Sequence, residues 1–121
     1  MASDGKILLL EDDPDQATLF AEVLQRSGYT VTTALDVEEA VAATREQRFD
    51  LALVDWDLPG IKGDAYILLV KVEFPEVATI LFSNHANVEQ AAQISGADAW
   101  MLKMEGIQRL REIVDRLLHE R

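Results

Sequence analysis

Four places in this 121-residue chain end a short apolar run with a chemically active side chain. Glu11, Asp12 and Asp13 follow residues 7–10, Asp55 follows 51–54, Ser83 follows 79–82 and Lys103 follows 99–102. In an open parallel α/β sheet the carboxyl ends of the strands lie along one edge, and ligands gather in the crevice outside it. Residues scattered over most of the chain would then share one pocket containing three or more carboxylates, a hydroxyl and an ammonium. Such a cluster repels itself unless a divalent cation occupies it, and hard carboxylate oxygens with few other ligand types suit Mg2+. The expected chemistry is that of a Mg2+ and phosphate site. Asp55, at the end of the most apolar strand, is the expected nucleophile, because a carboxylate can attack a phosphoryl group to form an acyl phosphate. Asp12, Asp55 and the backbone carbonyl of Asp57 are the expected cation ligands, with Lys103 as a point charge on the phosphoryl oxygens and Ser83 as a hydroxyl donor.

The elements that must position these groups alternate between short continuous apolar runs and longer helical stripes, the pattern of repeated β-α units around a parallel sheet buried on both faces. Strands are expected at 6–10, 29–34, 51–54, 77–82 and 99–102. The first helix starts at Pro14 with Leu19, Phe20, Val23 and Leu24 inward and closes at Gly28. Asp36 caps the second, which buries Val37, Ala40, Val41 and Thr44. The third covers residues 65–73 with Leu68, Leu69 and Val72 inward, and Pro75 follows its end. The fourth is short, 88–95, and stops at Gly96. The last, 107–119, buries Ile107, Leu110, Ile113, Val114 and Leu117. Between strand three and helix three, Pro59, Gly60 and Gly63 break any regular element.

Composition narrows the classes. The length suits one domain, 1–121, with a single core and no effector domain. The absence of cysteine removes disulfides, thiol nucleophiles and the usual zinc sites, and neither His85 nor His119 has a partner at metal-binding spacing. Eleven Lys and Arg against 22 Asp and Glu, a net charge of −11, argue against direct binding to nucleic acid or to anionic membranes. The apolar runs are too short to span a bilayer and the first residues lack a signal pattern, so a cytoplasmic location is expected.

Residues 7–13 (ILLLEDD), 51–60 (LALVDWDLPG) with Gly63, 80–83 (ILFS) and 96–103 (GADAWMLK) occur in that order. Together they resemble the receiver domains of bacterial two-component response regulators over essentially the whole chain. The resemblance implies a flavodoxin-like doubly wound sheet of order 2-1-3-4-5. It makes Asp55 the phosphoacceptor, Glu11 and Asp12 the acidic pair for Mg2+, and Asp57 a metal ligand through its carbonyl. Asp13 is an extra acid beside the site, Ser83 the switch hydroxyl, Lys103 the phosphate-sensing ammonium and Trp100 the aromatic that changes rotamer. It also implies a histidine kinase or histidine phosphotransfer protein as donor, an output protein as recipient, and a dimer through helix four, strand five and helix five.

Three features depart from that family's pattern. Lys103 is followed by Met104 rather than proline, and a cis bond before a non-proline residue costs roughly 2.5–4 kcal/mol. The expectation is a trans bond with Lys103 differently aimed. Asn84 replaces a small residue after Ser83, and the segment from Ser83 to Lys103 is about two residues short, which suggests a truncated or irregular helix four. Two other functions compete. A haloacid-dehalogenase-like phosphatase is suggested by Asp55-Trp56-Asp57, residues 79–84 and Lys103, although there the Asp-x-Asp segment opens the domain. A degenerate receiver serving as a constitutive interaction module is the other. Self-phosphorylation and dephosphorylation, rather than turnover of an external substrate, is the catalysis expected of the first reading.

Overall fold

In the computed structural model, which describes residues 5–119, strands and helices alternate through the described residues. They are β1 Lys6–Leu10, α1 Pro14–Arg26, β2 Thr30–Ala34, α2 Val37–Glu46, β3 Leu51–Asp55, α3 Gly63–Glu73, β4 Ala78–Ser83, α4 Val88–Ser95, β5 Ala99–Leu102, a 3-10 turn Lys103–Glu105, and α5 Gly106–His119. The five strands form one parallel sheet in the order β2-β1-β3-β4-β5. This is the doubly wound order expected from the resemblance. β3 is buried at all five positions, as a central strand without polar alternation must be.

Strand alternation divides the core in two. Leu8, Leu10, Ala52, Val54 and Leu81 face α2, α3 and α4. Ile7, Leu9, Leu51, Leu53, Ile80 and Phe82 face α1 and α5. The caps are local and legible in sequence. Asp13 turns out to be the N-cap of α1, its Oδ1 accepting from the backbone N of Asp15 at 2.9 Å and Gln16 at 3.5 Å. Asp36 caps α2 through the backbone N of Glu39 at 2.8 Å, and each cap contributes about 1 kcal/mol.

Two helices present a different face from the expected one, and in α5 Ile107, expected inward, is 38% exposed in the first turn. α1 buries Ala17, Ala21 and Leu24, while Leu19 is 47% exposed; small alanines let the helix approach the sheet, and Phe20 reaches in only at its edge to meet Phe82. α3 buries Gly63, Tyr66, Ile67 and Val70 and leaves Leu68 and Val72 outside. Because α3 is apolar almost all round, hydrophobicity does not select its face. A buried hydrogen bond of 2.7 Å between the Tyr66 and Thr44 hydroxyls fixes its rotation against α2. α4 is a regular eight-residue helix, not an irregular one, ended by Gly96 in the left-handed conformation at φ 83°. Among the described residues no helix is long and apolar enough to cross a membrane.

Candidate functional site

Register brings the four strand ends to one edge. Leu10 lies beside Val54, Asp55 beside Phe82 and Ser83 beside Leu102, so Glu11 and Lys103 each emerge one step past a strand that flanks the central pair. Glu11, Asp55 and Ser83 are buried, and Asp12 is exposed. One oxygen each from Glu11, Asp12 and Asp55 lies within 4.8 Å of the others.

Lys103 closes this cluster from β5. Its Nζ donates to Glu11 Oε1 at 2.9 Å, to Gln16 Oε1 at 2.8 Å and to Asp55 Oδ2 at 3.3 Å, and it stands 5.0 Å from the centre of the Phe82 ring. No peptide bond among the described residues is cis. The Lys103-Met104 bond is therefore trans as expected, but the lysine is not misdirected. The long, flexible side chain reaches the acids from the start of the 3-10 turn. Gln16 was not singled out from sequence; its place in the first turn of α1, directly after the acidic strand end, is the signal that would have found it.

Asp57 is oriented by its neighbours. Its backbone N donates to Asp55 Oδ1 at 2.9 Å, and its carboxylate Oδ2 accepts from Ser83 Oγ at 2.7 Å and from the Asn84 backbone N at 3.2 Å. His85 Nε2 stands 3.5 Å from Asp57 Oδ1, and the His85 backbone N donates to Ser83 Oγ at 2.9 Å. Trp100 lies apart, half-buried on edge strand β5 and packed on the core face shared with α4. Trp56, beside the site, packs into the same core with its buried indole N–H unpartnered among the described residues.

The donor set fits a hard divalent cation on two counts. All three clustered ligands are carboxylates, and Glu11 Oε2 is buried without a hydrogen-bond partner, a costly arrangement that a cation or its bound water would relieve. Burial and the adjacent Asp55 carboxylate outweigh the Lys103 ammonium and raise Glu11 to about 8. Burial works against the Lys103 charge, but Glu11 and Asp55 overcome it and hold that lysine above its usual value.

Residues 7–115 match the family model described as the response regulator receiver domain. The chain belongs to that family. Among curated relatives, this receiver is 36% identical to the nitrogen assimilation regulatory protein NtrX of Azorhizobium caulinodans over 98% of its length and 26% of that protein's. It is 31% identical to the probable transcriptional regulatory protein TcrX of Mycobacterium tuberculosis over 95% of its own length and 50% of the relative's. The chain thus spans a quarter to a half of these relatives. Among solved structures, the Thermotoga maritima response regulator TrrA, crystallised in complex with Mg2+-BeF, is 28% identical with a TM-score of 0.88, covering 94% of this chain and 99% of that one. A CheY-like receiver domain from Methanospirillum hungatei is 26% identical with a TM-score of 0.90, over 96% and 94% of the two chains. The phosphatase alternative is not favoured, since the receiver match begins at residue 7 with the acidic strand end first.

The raised Glu11 carboxyl makes the metal-free receiver sensitive to pH. Between its unfolded value, near 4.5, and about 8, the folded chain holds a proton that the unfolded chain has released. Stability without metal should therefore fall as pH rises through that window. Thermal melts in chelator at pH 5, 6, 7 and 8 read this directly, and melting temperatures that climb over that range would contradict it.

Proposed function

We propose that Asp55 of this receiver accepts a phosphoryl group from the phosphohistidine of a sensor kinase or a histidine phosphotransfer protein, and that the modified domain signals by protein contact. The observation that carries the reading is the part-buried ammonium of Lys103, held between Glu11 and Asp55 at 2.9 Å and 3.3 Å, two members of a cluster of three carboxylates. A receiver serving only as a constitutive interaction module would have no need of that arrangement. Buried ion pairs are a poor source of stability, and this one is assembled from separate strands at the sheet edge.

An Asp55 oxygen attacks phosphorus as the phosphorus–nitrogen bond breaks. The electron pair leaves with the imidazole, and an aspartyl phosphate remains. Glu11, Asp12, Asp55 and the Asp57 carbonyl are the proposed holders of Mg2+, which supplies neutralisation of the phosphoryl oxygens. Lys103 supplies a second positive charge, kept in place by Gln16 and by the Phe82 ring. The Asp57 N–H holds Asp55 Oδ1 at 2.9 Å and Lys103 reaches Oδ2 at 3.3 Å, so the carboxylate is oriented from both sides before attack. Ser83 then donates to the phosphoryl group, and Trp100 changes rotamer on the β5 edge, biasing one of two states that differ by a few kcal/mol.

Residues 1–121 act in this reading as one receiver domain in the cytoplasm. Its output passes to another protein, or to a second copy, through the α4-β5-α5 face, where Ile94 and Met104 are more than four-fifths exposed. The net charge of −11 makes DNA itself a poor direct target for this chain. Intact-protein mass after incubation with acetyl phosphate tests the proposal. One added phosphoryl group that requires both Mg2+ and Asp55 is expected, and undiminished labelling of Asp55→Asn would overturn it.

A further inference from the structure

We propose that the Asp57 carboxylate competes with the phosphoryl group for the single proton of Ser83, and so sets how readily phosphorylation throws the switch. The inference rests on the reading of Asp55 as phosphoacceptor and deepens it. Ser83 is fully buried, so water is not an alternative partner for its hydroxyl. Its Oγ donates to Asp57 Oδ2 at 2.7 Å and accepts from the His85 backbone N at 2.9 Å. A hydroxyl has one proton to donate. While Asp57 accepts that proton, Ser83 can present only lone pairs to an incoming anion, which repel it.

Release is feasible because Asp57 keeps other partners. The Asn84 N–H remains on Oδ2 at 3.2 Å, the His85 ring stands 3.5 Å from Oδ1, and the carboxylate is a quarter exposed to water. The contact is thus a threshold and not a lock. Both competing acceptors are anionic, and hydrogen bonds to charged groups are the stronger class, so the exchange is a near-balanced competition. Asp57 acts here as a positioning residue through its side chain, a role distinct from that proposed for its backbone carbonyl. On activation the proton stays on Ser83 Oγ throughout and only its acceptor changes.

A double-mutant cycle tests this with beryllofluoride and Mg2+ as the phosphoryl mimic, titrated against the full chain and followed by tryptophan fluorescence. Asp57→Ala removes a negative charge as well as the competing acceptor, so the effect carried by Ser83 is read by comparing backgrounds. Asp57→Ala should tighten beryllofluoride binding about tenfold more with Ser83 present than in Ser83→Ala, the size expected for one charge-assisted hydrogen bond. Equal changes in the two backgrounds would overturn the competition and leave the phosphoacceptor reading standing. Wild-type chain that shows no Mg2+-dependent binding would overturn both. Should the alanine variant not fold, Asp57→Asn carries the same cycle with a smaller expected ratio, since the amide keeps an acceptor oxygen without charge. A second readout needs no metal: the His85 amide resonance should shift on Asp57→Ala or Asp57→Asn as Ser83 turns away, and an unmoved resonance counts against the proposal.

Discussion

Replacing Lys103 by methionine should slow phosphorylation of Asp55 by acetyl phosphate by roughly two to three orders of magnitude, the usual consequence of removing one preorganised charge from a transition state. The same substitution should act in the opposite direction on the cation. Lys103 Nζ neutralises Glu11 and Asp55 at 2.9 Å and 3.3 Å. Without it three carboxylate oxygens within 4.8 Å of one another have no positive partner in the pocket among the described residues, and Mg2+ gains what the ammonium held. Tighter Mg2+ binding together with slower phosphoryl transfer is the signature of a lysine that serves the anion. A tryptophan-fluorescence titration with Mg2+ reads the first quantity and single-turnover labelling the second. Loss of both would mean that Lys103 holds the pocket together mechanically. The metal-free variant should also be less stable, because removing one member of a buried pair leaves the other charges uncompensated, although protonation of Glu11, already raised to about 8, softens the penalty.

Gly63→Ala should be the most damaging substitution of a single hydrogen outside the charged cluster. A Cβ at Gly63 would lie on the backbone carbonyl oxygen of Asp55 and 2.7 Å from Val54 Cγ1. The obstruction is the backbone of the central strand, which cannot turn aside as a side chain would. The start of α3 must therefore lift off β3, and overpacking of this kind costs on the order of 3 kcal/mol, or roughly 10 °C in melting temperature for a chain of this size. The displaced carbonyl belongs to Asp55, so labelling of that residue should fall with stability. Gly60→Ala is a useful contrast. Its φ of 73° strains any side chain, yet a Cβ there meets nothing within 4 Å, so it should cost less, about 1 kcal/mol. Equal melting temperatures for the two variants would contradict the close approach.

The β-α alternation and the pocket acids were readable because each rests on local patterns that repeat, whereas the strand order came from the resemblance to receiver domains. Four-residue apolar runs ending in Asp, Ser or Lys at successive strand ends leave few ways to arrange a parallel sheet, and Asp36 and Pro14 mark helix starts through chemistry confined to a turn. The rotation of α1 and α3 was not readable. Leu19 and Val72 are as apolar as the residues that went inside, and the choice was made by contacts distant in sequence: small alanines against the sheet, Gly63 against Asp55, and Tyr66 with Thr44. The aim of Lys103 belongs to the same class. From sequence, Met104 in place of proline implied a trans bond and a displaced lysine. The bond is trans, but a four-carbon side chain absorbs the difference, and Gln16 from another element fixes where it ends. The residue types and their order thus determined which groups could do phosphoryl chemistry and that they would share one edge. Only the tertiary structure decided which hydrogen bonds they make before any phosphoryl group arrives, including the donation of Ser83 to Asp57, because a hydrogen-bond partner is chosen over distances of ångströms between segments that no local pattern relates.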